Sequence, residues 1–141
     1  MANKNLNKAA KNLLKKENLN HTKAQVLLMQ ELLKAKSPLS RDELSRNLGR
    51  NSPDKATIYR ITERLCAKDM VHKVYIRGRA WKYELSQNCM EKQCHPHFTC
   101  KSCGMTRCLT GLSVPVVKGL KKGFVIHRQQ VQLEGLCPAC T

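Results

Sequence analysis

The sequence predicts an α+β protein: an N-terminal winged helix-turn-helix domain, then a small zinc-stabilised α/β domain. Three observations lead there. Helical periodicity followed by a β-rich hairpin fills the first part of the chain. The formal charge is +16 over 141 residues, from 26 Lys+Arg against 10 Asp+Glu. Seven of the eight cysteines lie after residue 87, and Cys66 is the exception. The expected boundaries are 1–86, a connector at 87–94, and 95–141.

The first helix follows from Leu6, Ala9, Ala10, Leu13 and Leu14 on one face, with lysines around the rest. Asn20-His21-Thr22 punctuates the chain. Val26, Leu27, Met29, Leu32 and Leu33 mark a second helix with Thr22 as N-cap. Pro38 stops it. Ser40 with Glu43 three residues later is the capping-box pattern, in which each side chain satisfies an orphan amide. The short helix so opened ends at Gly49.

Ser52-Pro53 reads as the next start, a cap residue with proline at the first helical position. That helix runs to about Ala67, with Ile58, Ile61 and Leu65 as its apolar stripe. Steps of about 100° per residue turn Tyr59 and Arg60 away from the stripe and put Lys55, Thr57 and Arg64 on its flanks. Two short helices joined through a glycine turn, the second basic outside, form a helix-turn-helix pattern. Val71–Ile76 and Ala80–Leu85 follow as β-rich runs around Arg77-Gly78-Arg79. A hairpin with a basic tip in that position is a wing, and Arg77 and Arg79 suit a phosphate or a minor groove. Residues up to 87 carry a net +11, so duplex DNA is the expected partner.

The cysteine pattern has its own chemistry. Cys100-Lys101-Ser102-Cys103 and Cys137-Pro138-Ala139-Cys140 are two C-x-x-C knuckles that together supply a tetrahedral thiolate cage. Four thiolates leave no open position, so this site is structural, with one zinc per chain expected. A module this small needs such a staple. A second constellation centres on His95-Pro96-His97. Proline holds the residue before it extended, so both imidazoles share a face. Cys89 in the connector and His72 in the wing complete an S and three N donors, which suits a second zinc. The alternative is a partial site of two histidines, with a spare thiol and a DNA-facing His72. Cys66 reads as a packed thiol, Cys94 and Cys108 as bystanders or oxidation-prone neighbours, and His127 as a surface histidine in a strand, with an extra ligand as its alternative.

Several classes are excluded. The longest aliphatic run, Val26 to Met29, is far below the roughly 20 residues of a membrane span. Residues 1 to 20 form no apolar signal region, so a cytoplasmic protein without membrane or small-molecule partners is expected. No nucleophile triad, paired-carboxylate motif, Walker loop or dinucleotide fingerprint appears, and no enzyme is expected.

The residues Ala56-Thr57-Ile58-Tyr59-Arg60, Tyr83-Glu84-Leu85, His95 through Gly104 and Gly135 through Cys140 resemble the ferric uptake regulator family. The order covers nearly all of the chain from Thr22 to Cys140. The resemblance implies a winged helix, a hinge at 87–94 and a dimerisation domain held by the zinc of Cys100, Cys103, Cys137 and Cys140. It implies a homodimer on palindromic operator DNA, acting as a metal-responsive repressor of metal-uptake genes. Thr57, Tyr59 and Arg60 would meet the major groove, and Lys55, Arg64, Arg77 and Arg79 the phosphates. Cys89 together with Val71-His72-Lys73-Val74 is most similar to the zinc uptake regulator branch, with His72, Cys89, His95 and His97 as regulatory ligands.

The chain also departs from the family pattern. Ser37-Pro38-Leu39 stands where iron-sensing members carry a histidine, leaving Glu84 without its partner for an iron-type site. Pro96 and Cys94 replace ligands of a further site. Gln25 replaces an arginine of the second helix, and Pro115 and Gly119 weaken the expected dimerisation helix. Two other readings stand: an iron-, peroxide- or thiol-redox-sensing regulator of this fold, and a basic zinc-stabilised RNA- or ribosome-binding module.

Overall fold

The computed structural model describes residues 2–74, 81–86, 95–109, 111–112 and 114–141. The chain divides into two compact units, Met1–Leu85 and Ser86–Thr141.

In the first unit, α1 (Ala2–Lys16), α2 (Lys23–Lys34), α3 (Arg41–Leu48) and α4 (Lys55–Ala67) accompany a three-stranded sheet. The strands are β1 (Leu39–Ser40), β2 (Val71–Val74) and β3 (Lys82–Leu85), in the order β1-β3-β2, all antiparallel. The core gathers Leu14, Leu28, Met29, Leu44, Ile58, Leu65, Val71 and Tyr83 into one cluster. The α1 face buries Ala10 and Leu14 while Lys4, Lys8, Lys11, Lys15 and Lys16 stay exposed, as the periodicity requires. Strand β1 was not foreseen, since two residues carry no periodicity of their own.

The caps explain the helix starts. Thr22 accepts the Gln25 amide, and Ser40 forms the full capping box with Glu43. Gly49 ends α3 with a φ of 56°, a region that glycine enters without a Cβ penalty. The expected Ser52-Pro53 start is corrected. A 3-10 turn spans Gly49–Asn51, and Asp54 caps α4 by accepting the Thr57 amide at 2.8 Å. The Ser52 hydroxyl bonds instead to Ser45 and to the Pro53 carbonyl. Gln25 is buried at the start of α2, which removes it from any phosphate-facing role.

Burial pushes the Glu43 carboxyl up, but the Ser40 amide and the Lys82 ammonium outweigh it and hold the group below its ordinary 4.5. A depressed carboxylate stabilises the fold above its unfolded pKa, and that contribution is lost as pH falls through the folded value. Ser40→Ala is therefore expected to destabilise the first unit by about 1 kcal/mol at neutral pH. Urea unfolding should show this penalty nearly unchanged in acid, because the variant keeps the Ser40 amide that holds Glu43.

In the second unit, β4 (His97–Cys100) is central. It pairs antiparallel with β5 (Thr106–Cys108) and parallel with β6 (Gln132–Gly135). Between β5 and β6 the described residues contain no helix, which corrects the expected dimerisation helix over Gly111–Gly123. Pro115 and left-handed backbone at Gly111, Gly119 and Gly123 account for this. His127 lies outside β6, so its placement in a strand is also corrected. No helix among the described residues is long and apolar enough to cross a membrane.

Candidate metal centre and DNA-reading face

Parallel pairing of β4 with β6 closes the long gap between the knuckles. The register sets Cys100 opposite Gly135, so Cys137, two residues on, arrives at the same end of the sheet. Each knuckle is a tight turn. Gly104 N–H donates to the Cys100 carbonyl and Cys140 N–H to the Cys137 carbonyl, both at 2.9 Å. The sulfurs of Cys100, Cys103, Cys137 and Cys140 lie within 4.8 Å of one another, with Cys103 and Cys137 3.8 Å apart.

The surrounding amides prepare this site for a cation. The Cys103 and Cys137 amides bring the Cys100 thiol down to about 6, so it is a thiolate at neutral pH. The Cys140 thiol is pushed up to about 11, first by its hydrogen bond to Cys137, and a bound ion would displace that proton. Four close sulfurs fit zinc in a closed, structural site. Because proton and metal compete, the grip of this site is expected to weaken as pH falls toward about 6.

A second donor group lies within the same unit. His97 is opposite Cys108 in the β4–β5 register, and the His95 and His97 ring centroids are 5.0 Å apart. The ligand atoms of His95, His97 and Cys108 all fall within 4.8 Å of one another. Sequence reasoning missed Cys108 as a donor. The signal was its place in the strand after the first knuckle, readable only once that strand is paired. The donor set, two imidazoles and a thiol, is chemically suited to zinc.

In the first unit, His72 is buried on β2 directly across from buried Glu84 on β3. His72 Nε2 lies 2.7 Å from Glu84 Oε1. Glu84 is therefore engaged, where the sequence left it without a metal-site partner. A carboxylate on one imidazole nitrogen fixes the orientation of the ring. Cys89, Cys94, Arg77 and Arg79 lie outside the described residues.

The outer face of α4 has the expected exposure. Tyr59 is 53% exposed, and Lys55, Arg60 and Arg64 are exposed beside it. Thr57 is half-buried, and its hydroxyl accepts from Arg60 Nη2 at 3.2 Å. Lys73 on β2 and Arg41 on α3 both reach the Glu63 carboxylate, at 2.9 and 2.8 Å.

A helix-turn-helix with a basic outer face, in one chain with clustered thiol and imidazole donors, defines a metal-responsive DNA-binding regulator. The ferric uptake regulator family model matches residues 16–133. The chain belongs to that family of transcription regulators. No curated protein matches the sequence. Among solved structures, the Helicobacter pylori ferric uptake regulator is 18% identical with a TM-score of 0.66, covering 97% of this chain and 92% of that one. A zinc uptake regulator complexed with zinc and DNA is 19% identical with a TM-score of 0.65, covering 99% and 95%. The peroxide-sensing PerR of Streptococcus pyogenes is 17% identical with a TM-score of 0.50, covering 96% and 93%.

Proposed function

We propose that this chain is a zinc-responsive, homodimeric repressor of metal-uptake genes that reads a palindromic operator. Residues 1–86 read DNA, 87–94 form the hinge, and 95–141 dimerise. The observation that carries the reading is the second donor group, His95, His97 and Cys108, in a unit that already holds a closed four-thiolate cage. One closed site supplies structure; a further, open donor set supplies the response. The regulatory ligands are His72, Cys89, His95 and His97, and Cys108 offers a second thiolate from within the same unit. Sulfur and imidazole donors favour zinc over ferrous iron. Exposed Leu112, Val117, Leu120, Phe124 and Val125 provide the apolar surface that a second copy covers.

Thr57, Tyr59 and Arg60 meet the major groove, while Lys55, Arg64, Arg77 and Arg79 contact phosphates. Metal acts by binding the DNA-competent form more tightly than the alternative form. The test is zinc stoichiometry per chain after mild and then strong chelation, with duplex affinity measured at each stage. Two zincs, with the labile one controlling affinity, is the expected result. One fixed zinc with affinity indifferent to chelation would refute it. Zinc, ferrous iron and manganese competition on Cys89→Ser and Cys108→Ser variants identifies the sensed ion and the sulfur that binds it.

A further inference from the structure

Arg41 lies in the first turn of α3, at a position where sequence patterning gives it no role beyond a charged first-turn residue. Its guanidinium is fixed at four points on the neighbouring elements. Nη2 donates to Glu63 at 2.8 Å and Nε donates to Thr62 Oγ1 at 3.0 Å. The guanidinium carbon sits 4.3 Å from the centroid of the Tyr59 ring and 5.0 Å from that of Tyr83. Thr62 is fully buried and bonds back to the Ile58 and Tyr59 carbonyls, so the anchor itself is rigid. Tyr83 is fully buried. Tyr59 is the one partner left largely in solvent, on the outer face of α4.

This geometry argues against Arg41 as a phosphate contact, because its guanidinium is already engaged by Glu63, Thr62 and two tyrosine rings. A cleft of about 210 Å³ beside it is lined by Arg41, Asp42, Ser45, Lys55, Ile58 and Tyr59. A cation over one ring face instead limits the conformations that an exposed tyrosine can sample. An exposed side chain ordered before contact does not lose that rotamer freedom when it binds.

We propose that Arg41 is a positioning residue for DNA reading: it holds the Tyr59 ring in its groove-facing conformation and so sets sequence preference. The inference rests on the DNA-reading role assigned to α4. Its effect falls on the selected duplex, where Tyr59 must meet particular base edges, and not on general electrostatic attraction.

The experiment uses the full-length zinc-loaded protein and a duplex selected by it from a random library, with an unrelated duplex as reference. Arg41→Ala should weaken the selected duplex about three- to tenfold and change the reference less than twofold. In a Tyr59→Ala background, Arg41→Ala should cause no further loss, the non-additivity expected of residues acting as one unit. Arg41→Lys keeps a charge for Glu63 but lacks the planar fork, so it folds where the alanine variant fails and still loses preference. Equal losses on both duplexes, or additive losses in the Tyr59→Ala background, overturn the proposal. If the wild-type chain selects no duplex at all, the regulator reading falls and takes this one with it. Selection by wild type without an Arg41 effect sinks this proposal alone.

Discussion

Cys137→Ser is expected to release the structural zinc and unfold the second unit while the first keeps its own cooperative transition. The reason is the scarcity of core. Among the described residues of that unit, only Pro96, His97, Cys100, Thr106 and Cys137 are buried, and two of these are thiolate donors. A metal held by the four thiolates would take the place of a hydrophobic interior. In zinc-finger peptides such a site contributes roughly 10–16 kcal/mol of apparent binding free energy, far more than a sheet this small supplies. Losing one of four thiolates leaves an incomplete cage and a sheet without its clamp. Hydrogen exchange read alongside zinc content is the measurement. Strong β4 and β6 amide protection in the zinc-free variant would show that the sheet stands without metal. Exhaustive chelation of the wild-type chain should reproduce the variant's behaviour.

His97→Ala is expected to abolish most of the metal-dependent gain in operator affinity, a loss of about 10- to 100-fold at saturating zinc. The four-thiolate zinc should remain, because none of its ligands is touched. His97 is itself buried on the central strand, so the variant also loosens local packing. His95→Ala is the cleaner companion, since His95 is only half-buried and precedes β4. Both variants should bind DNA like the chelated wild type, and zinc titration should no longer shift either one. A variant that still responds fully to zinc would move the sensing function away from these imidazoles.

Legibility in the sequence followed the range of the interaction. The Thr22 and Ser40 caps were readable because an N-cap and its target amide lie three residues apart. The α4 stripe of Ile58, Ile61 and Leu65 was readable because helical burial repeats locally. The Ser52-Pro53 start misled because two capping signals overlap, and the Asp54 carboxylate takes the first-turn amide. The four thiolates were evident from spacing alone, since each knuckle is a local turn. Cys108 beside His97 and Glu84 against His72 were not evident, because both depend on cross-strand register. Arg41 was invisible for a similar reason: its partners sit 21 and 22 residues away on another helix.

The parallel pairing of β4 with β6 has one more consequence. Together with the cage it fastens both ends of the chain running from β5 to β6, so that stretch is a tethered circuit anchored at its base. The entropy of closing such a circuit grows only logarithmically, with each doubling of length adding about 0.6 kcal/mol. Residues can therefore be added or removed there with little effect on the staple, provided Cys100, Cys103, Cys137 and Cys140 keep their register. A change of self-association partner could evolve there without disturbing either the metal or the DNA-reading helix.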